Sequence, residues 1–456
     1  MKQPIALPPA AEEILAALRG AGFLAYAVGG CVRDSLLGRT PHDWDICTAA
    51  TPEEISRVFA SRRRIETGKQ HGTITVLWDG VPYEITAFRA DGSYTDHRHP
   101  DQVVFVPTLR EDLARRDFTI NAMAYHPESG VADFFGGRED LEAGLVRCVG
   151  DPDTRFGEDA LRMLRAMRFA AVYGFQVEAE TACAIHRNAP LLRAVSAERI
   201  SSELSRLLFG PGATALLLEF SDVLGLLIPP LGRCIGFPQN NPFHRYTVYE
   251  HMVRAAGCYA GRELAVKLAL LLHDIGKPDC FTQSGGVGHF YHHAERSREL
   301  AEEILTSLRF DGATRRAAAE LIRYHDSRIP PSPGAVRRWL NRLGPERFRQ
   351  LLEVFDGDAG AQAEAPGARR RAETAALRAV LDTVLAQQQC FSLHDMQFSG
   401  ADVLALGLRE GKEVGAVLRT LLDRVLSGEV PNDHAALERE AAALIVAVQT
   451  PPASEQ

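Results

Sequence analysis

Two carboxylates, Asp43 and Asp45, flank Trp44 and run into Ile46, shortly after a glycine pair, Gly29-Gly30, and a cation, Arg33. Residues two apart on a strand project from one face, so an extended reading of this stretch brings both acids together. Paired acids suit Mg²⁺, a hard cation usually held by one or two carboxylates and by substrate phosphates. The glycine pair lets the backbone approach a ligand closely, and its N–H groups together with Arg33 can cradle a polyphosphate. A phosphate cradle beside an Asp-x-Asp pair points to metal-assisted nucleotidyl transfer. Either half alone would read as an ordinary turn or a solvated strand end, so the chemistry rests on their combination.

Such groups need elements to hold them. The apolar run from Phe23 to Val28 predicts a strand leading into the glycines, after an amphipathic helix over 11–20. Short strands and helices alternate to about residue 149, which predicts an α/β head. Within it, Gly72–Leu77 and Val81–Phe88 read as a hairpin turned at Asp79-Gly80. Glu84 lies in the second of these strands, either as a third acid near the metals or as an exposed strand carboxylate. The polar stretch 90–112, with Asp96, His97, Arg98, His99 and Pro100, reads as a long loop or flexible hairpin. The pattern then turns helical until Pro229-Pro230 and the stretch 236–242 break it, giving expected domains at 1–149, 150–235, 236–365 and 366–456. The tract after Gly360 is Ala- and Gln-rich and reads as a solvated long helix.

Composition narrows the class. A chain of 456 residues, 46% hydrophobic, can bury about three cores. Its eight cysteines contain no C-x-x-C pair and read as reduced thiols of a cytoplasmic protein. No window reaches the roughly 18 uninterrupted apolar residues of a membrane span. A net charge of −8 argues against non-specific nucleic-acid binding, so any RNA contact is local.

The order Gly-Gly-x-Val-Arg-Asp, Leu-Leu-Gly-Arg, Asp-Trp-Asp-Ile resembles the signature of the class II tRNA nucleotidyltransferase and bacterial poly(A) polymerase family. The resemblance implies a polymerase-β-type head followed by all-α neck, body and tail, an α+β fold. It implies two Mg²⁺ ions at catalytic Asp43 and Asp45, with Gly29, Gly30 and Arg33 on the nucleotide. Arg115 to Ala122, RRDFTINA, is similar to the family's ribose and triphosphate motif, with Arg116, Asp117 and Asn121 as best matches and Asn121 to Ala124 read as helical. Asp133 to Gly137 is similar to a motif coupling head to neck, or is a plain glycine turn. The polar loop resembles the mobile element associated with adding the terminal adenosine, here at full length.

A helix is expected over Arg155–Tyr173, with a buried stripe through Leu161, Leu164 and Met167 and a charged face of Glu158, Asp159, Arg162, Arg165 and Arg168. That face is an ion-paired solvent surface or, by resemblance to the family's Glu-Asp-x-x-Arg motif, the part that selects the nucleotide. Cytosine and adenine each present an exocyclic amine donor beside an unprotonated ring nitrogen, whereas uracil and guanine present a carbonyl beside a ring N–H. A carboxylate and a guanidinium, Asp159 and Arg162, would therefore suit C and A alike. Ala197 to Ile200 and Glu203-Leu204 resemble the last neck motif.

Beyond the break, His251, His273-Asp274 and Asp358 follow the order of the HD phosphohydrolase superfamily, and the resemblance makes them ligands of one metal. His293 and His325 are further candidates for a second metal or a phosphate contact. Imidazole and carboxylate ligands leave Mn, Ni, Fe and Mg open, and the HD helices are either a hydrolase or a scaffold. Phe398 to Gly415 resembles the tail of HD-containing relatives, where it holds a tRNA elbow or simply packs. The activity implied is addition of CCA to a tRNA 3′ end from CTP and ATP. Poly(A) synthesis and A-only addition remain open, CC-only addition is disfavoured by the untrimmed loop, and a non-catalytic RNA-binding protein is disfavoured by the retained acids.

Overall fold

The computed structural model describes residues 5–91 and 103–449, so the middle of the expected loop, including Asp96, His97, Arg98, His99 and Pro100, lies outside the described residues, and its last residues open a helix, Leu109–Ala114. The chain divides into two compact units, residues 1–232 with 307–310, and the remainder.

The first unit is built on a seven-stranded mixed sheet in the order β3-β4-β5-β2-β1-β8-β9. Its strands are β1 (Ala25–Val28), β2 (Ile46–Thr48), β3 (Arg64–Ile65), β4 (Thr73–Trp78), β5 (Val81–Ala87), β8 (Met123–His126) and β9 (Gly130–Asp133), with β6 (Arg89–Asp91) and β7 (Val103–Phe105) pairing separately. In β4, Ile74, Val76 and Trp78 are buried and alternate with half-buried threonines and leucine, the period of a strand with one face inward. The β4–β5 hairpin turns as expected at Asp79-Gly80, whose φ values of 49° and 85° are those of a primed turn. The helix Pro9–Gly20 buries Ala11, Ile14, Leu15 and Leu18 at helical spacing.

Three local expectations are corrected. Asp43 and Asp45 precede β2 rather than lying in it. The Val28 N–H still donates to the Asp45 carbonyl (2.9 Å), but Gly29 (φ 79°) turns away and donates to Met123 instead, so Asp43 has no partner from β1. Asn121 ends a short 3₁₀ turn, Thr119–Asn121, and the residues after it form β8, because Ala124 and Tyr125 pair with both β1 and β9. The expected helix over 155–173 is two helices, Pro152–Glu158 and Leu161–Tyr173. Asp159 is extended (φ −143°, ψ 102°) and its carboxylate accepts the Leu161 N–H (3.1 Å), the capping competition that keeps aspartate out of helix interiors. A short parallel pair, β10 (Leu145–Val146) with β11 (Gln176–Val177), joins head to neck within this unit.

The described residues of the second unit are helical apart from turns and a hairpin, β12 (Phe281–Ser284) and β13 (Val287–Phe290), turned at Gly285-Gly286. The Ala-rich tract is the helix Glu364–Ala386, and it is not solvated all round. Gly367, Arg370, Thr374, Leu377, Leu381 and Val384 are buried at alternating steps of three and four, and Arg378 pairs with Asp356 (2.8 Å) and Glu353 (2.9 Å) on the preceding helix, Pro333–Ala361. Phe398, Val403 and Leu408 of the expected tail motif are buried in a core of their own with Val417, Leu421 and Val425.

Candidate nucleotidyl-transfer and metal sites

Asp45 sits at the lead-in to β2, and the parallel register Ile46 to Ile85 sets Asp45 beside Glu84 on β5. Burial, then the charges of Asp43 and Glu84, push the Asp45 carboxyl up to about 6, with Arg116 opposing. Glu84, exposed on β5, therefore acts on Asp45 through its charge, and Asp43 with Asp45 offers the hard-oxygen carboxylates that suit a divalent cation.

Beside them stands the glycine turn. A Cβ on Gly29 would lie 2.9 Å from Arg116 Nη1, and one on Gly30 would lie 3.6 Å from Arg33 Nη2, so two guanidinium groups pack against the two glycines. Arg116 Nε is buried with no hydrogen-bond partner, a donor left for a ligand. Arg33 bonds Asp34 (2.9 Å) and the Asn121 side-chain oxygen (2.5 Å), and its guanidinium lies over Tyr173 (4.8 Å) and Phe169 (5.1 Å). The Asn121 amide donates to Asp117 (3.0 Å), which in turn holds Arg165 (2.7 Å). Burial alone would raise the Asp117 carboxyl, but the Arg165 charge and the Asn121 and Arg165 hydrogen bonds bring it down to about 2. From the cradle to the helix Leu161–Tyr173, the network is continuous.

That helix is buried on its charged side as well. Arg162 pairs with Glu158 (2.5 Å), Arg168 with Glu203 (2.5 Å), and Asp159 with Arg199 (2.7 Å). The solvent-face alternative does not hold, since Arg162 and Arg168 are each only 9% exposed. Asp159 and Arg162 each have a counter-ion, Arg199 and Glu158. Asp133, Gly136 and Gly137 form a turn in which the Asp133 carboxylate accepts three backbone N–H groups, and a Cβ on Gly137 would lie 2.3 Å from the Thr119 carbonyl oxygen. Asp140 binds Thr119 (2.6 Å) and Arg147 (3.1 Å), and Arg147 reaches Glu178 (3.4 Å), which links this motif to both the Asn121 turn and the neck.

Sequence reasoning missed Asp34, Tyr173, Arg199 and Glu203 as partners in this network. Tyr173 donates to Asp34 (2.8 Å). Arg199 and Glu203 lie four apart on the amphipathic helix Ala197–Leu208, a spacing that places them on one face but names no partner.

In the second unit, His251, His273 and Asp274 offer ligand atoms within 4.8 Å of one another, and so do Asp274, His293 and His325. Asp274 belongs to both groups. Asp358 joins the first, 2.8 Å from His251 Nε2 and 3.6 Å from His273 Nε2. Each histidine turns Nδ1 to a backbone carbonyl: His273 to Leu270 (2.8 Å), His325 to Ile322 (2.7 Å), His293 to Phe290 (2.8 Å) and His251 to Ala361 (3.3 Å). A carbonyl only accepts, so Nδ1 donates its proton there and the Nε2 atoms are those turned to the cluster. These converge: His251 and His273 Nε2 are 3.2 Å apart, as are those of His293 and His325. Both Asp274 oxygens are buried and lack a well-directed hydrogen bond, although Lys277 Nζ lies 2.6 Å away. Burial disfavours a charged His273, yet Asp274 and Asp358 raise it to about 10. A field that holds a proton so firmly also favours a metal cation, and the donor set fits one. Lys277, tied to Gln239 (2.7 Å), was not among the sequence candidates.

A pair of acids leading into the central strand of a mixed sheet, a guanidinium-lined glycine turn and a separate HD-type cluster define a nucleotidyltransferase head carried with an HD domain, and both domain types imply dependence on divalent metal. The chain matches the Poly A polymerase head domain over residues 25–147, the probable RNA and SrmB-binding site of polymerase A over 174–229, and the HD domain over 244–371. It is 32% identical over 437 residues to the CCA-adding enzyme of Limosilactobacillus fermentum, covering 96% of this chain and 97% of that one. With the CCA-adding enzyme of Leuconostoc mesenteroides it shares 51% identity over 204 residues, 45% of this chain, and spans about half (50%) of that relative's length. The crystal structure of the Bacillus stearothermophilus CCA-adding enzyme in complex with CTP is similar to this fold with a TM-score of 0.71 at 30% identity, covering 97% of this chain and 99% of that one. The chain belongs to the CCA-adding enzyme family. Among the described residues no helix is long and apolar enough to cross a membrane.

Proposed function

We propose that this chain adds C, C and A to the 3′ end of tRNA, using CTP and ATP. The 3′-hydroxyl oxygen attacks the α-phosphorus, the α–β bridging P–O bond breaks, and pyrophosphate leaves. The observation that carries this reading is Asp45, raised by the charges of Asp43 and Glu84, beside a glycine turn lined by Arg116 and Arg33. The acids would hold two Mg²⁺ ions, which when bound supply activation of the hydroxyl and neutralisation of the triphosphate. Arg116 carries an uncommitted donor for the triphosphate, and Arg33 adds fixed positive charge while anchoring Asn121 and Asp117 where a ribose would lie. Asp159 and Arg162 read the base: the carboxylate accepts from the exocyclic amine and the guanidinium donates to the ring nitrogen. Arg199 holds the Asp159 carboxylate, and Glu158 with the Arg155 and Arg115 carbonyls holds the Arg162 guanidinium. The eight free thiols support a cytoplasmic setting.

Incubation with a tRNA lacking CCA and all four triphosphates tests this. Addition that stops after C, C and A is expected. A long run of A would make the chain a poly(A) polymerase, action only on ends already carrying CC would make it an A-adding enzyme, and no addition would leave an RNA-binding protein.

For the HD cluster we propose hydrolysis of a phosphomonoester or 2′,3′-cyclic phosphate on an RNA end. Water adds at phosphorus, one ester P–O bond breaks and the departing oxygen takes a proton. Such an end cannot accept a nucleotide until its phosphate is gone, so the two activities are complementary. His251, His273, Asp274 and Asp358 would hold one ion and Asp274, His293 and His325 a second, from Mn, Ni, Fe or Mg. Because the head acids belong to one unit and these ligands to the other, His273→Ala with Asp274→Ala is expected to abolish hydrolysis and leave CCA addition intact. A purified chain that binds no metal outside the head and hydrolyses no phosphoester would reduce the HD helices to a scaffold.

A further inference from the structure

Besides its bond to Asn121, Arg33 is gripped by two sets of groups. The Asp34 carboxylate accepts from Nε (2.9 Å) and from Nη2 (3.1 Å). Two rings of the helix Leu161–Tyr173 lie against the guanidinium, Phe169 at 5.1 Å and Tyr173 at 4.8 Å. Both grips meet at Tyr173, whose hydroxyl donates to Asp34 Oδ1 (2.8 Å) across 139 residues of chain. The same ring carries the Arg39 guanidinium at 4.6 Å. Among the described residues Arg39 forms no ion pair, so two guanidinium groups and one carboxylate leave this ring in a net positive field, suited to a polyphosphate.

Packing accounts for the rings. Phe169, Tyr173 and Phe175 form one aromatic row, and Phe169 stands edge-on to Phe118, which leads into the Asn121 turn. A phenylalanine would fill the place of Tyr173 in that row equally well. Packing gives no reason for the hydroxyl in the row to be spent on the carboxylate that already holds Arg33. Burial pushes that hydroxyl up to about 12, against the Arg33 charge and with the Asp34 bond, so at neutral pH it is a donor. A guanidinium fixed along its edge by a carboxylate and over its face by rings keeps one orientation. We propose that Tyr173 is a positioning residue for the triphosphate, holding Arg33 through Asp34 and by direct stacking in the orientation that meets the phosphate chain. The helix whose first turn carries Arg162 thereby ends on the residue that sets a phosphate-facing cation. The proposal rests on the placement of Arg33 at the triphosphate of the head site.

The test uses the full-length protein with Mg²⁺ and a tRNA lacking CCA. Tyr173→Phe keeps the ring and removes the hydroxyl, and Tyr173→Leu removes both. Each is measured for kcat and KM of CTP, for inhibition by inorganic tripolyphosphate, and for inhibition by CMP, which lacks the β and γ phosphates. Tyr173→Phe is expected to weaken CTP and tripolyphosphate together, about three- to tenfold, the worth of one hydrogen bond. Tyr173→Leu should weaken them further, while inhibition by CMP and the preference for CTP over UTP stay unchanged in both. In an Arg33→Met background, Tyr173→Phe should add no further loss, since both act through one guanidinium. If Tyr173→Leu does not fold, as read by its melting temperature, Tyr173→Phe carries the test by itself. Tripolyphosphate inhibition unmoved by Tyr173→Phe, CMP and tripolyphosphate weakened alike, or a loss that adds to that of Arg33→Met overturns the positioning role and leaves nucleotidyl transfer standing. Tripolyphosphate inhibition unmoved by Arg33→Met removes Arg33 from the triphosphate and the proposal with it. A wild type that adds no nucleotide removes the head reading as well.

Discussion

Replacing Arg199 by methionine removes one guanidinium and keeps most of the aliphatic stem. Arg199 donates to Asp159 at 2.7 Å, and the two side chains are 24% and 15% exposed. A hydrogen bond between charged groups contributes about 1.5–3 kcal/mol when shielded, and an exposed ion pair about 0–1 kcal/mol. This half-buried pair should fall between, at about 1–2 kcal/mol. The Asp159 carboxylate is also held by the Leu161 N–H (3.1 Å), so without Arg199 it can leave the position from which we propose it reads a base. One to two kcal/mol is a factor of about 5–30 in discrimination. The assay is single-turnover addition to a tRNA lacking CCA, with each triphosphate in turn, for Arg199→Met, Asp159→Ala and the double variant. Arg199→Met should lower the preference for CTP over UTP by that factor, and the double variant should be no less selective than Asp159→Ala alone, since both act through one carboxylate. If selectivity is unchanged in Arg199→Met and only the melting temperature falls, or if the two effects simply add, Arg199 does not position the base-reading acid.

Asp43→Ala and Asp45→Asn should each abolish nucleotide addition while the protein stays folded by circular dichroism. Because the Asp45 carboxyl is raised to about 6 in the fold against about 3.9 unfolded, its ionised form opposes folding, so in chelator Asp45→Asn should melt higher than wild type above pH 6 and equally at pH 4. Asp117 has the opposite sign: held at about 2, its charge stabilises above pH 4, so Asp117→Asn should lose on the order of 2 kcal/mol in urea unfolding at pH 7, the gap closing between pH 4 and 2. Gly137→Ala places a Cβ 2.3 Å from the Thr119 carbonyl oxygen; it should cost about 1–3 kcal/mol and raise KM for both CTP and ATP by moving the Asn121 turn. A variant with unchanged KM and full stability would show that the turn tolerates the shift.

The paired acids, the glycine turn and His273-Asp274 were legible because they sit in short runs whose residue types already suggest a chemistry. What the sequence hid was long-range or competitive. Arg199 and Glu203 are tied to Asp159 and Arg168 across roughly forty and thirty-five residues of chain, and no spacing rule joins such positions. The break at Asp159 is masked because buried residues continue through it, from Phe156 to Ala160 and Leu161; only the side-chain cap decides against one helix. The Ala-rich helix looked solvated because its inward positions are Gly367, Arg370 and Thr374 as well as leucines, small or polar residues that mark a face only when a partner helix lies close. Asn121 to Ala124 has helical composition, and pairing on both edges of β8 overrides it.

The HD cluster is drawn from positions as far apart as His251 and Asp358, 107 residues along the chain. An unfolded chain holds no such arrangement, so an ion that binds here binds the native state and shifts the folding equilibrium by mass action. At a free concentration a thousand times its dissociation constant the shift is about 4 kcal/mol, comparable to much of a domain's net stability. The thermal midpoint of this unit then reports the free metal level of its surroundings, and the half-life of the chain against proteolysis becomes tied to metal supply even where the head is doing all the catalysis.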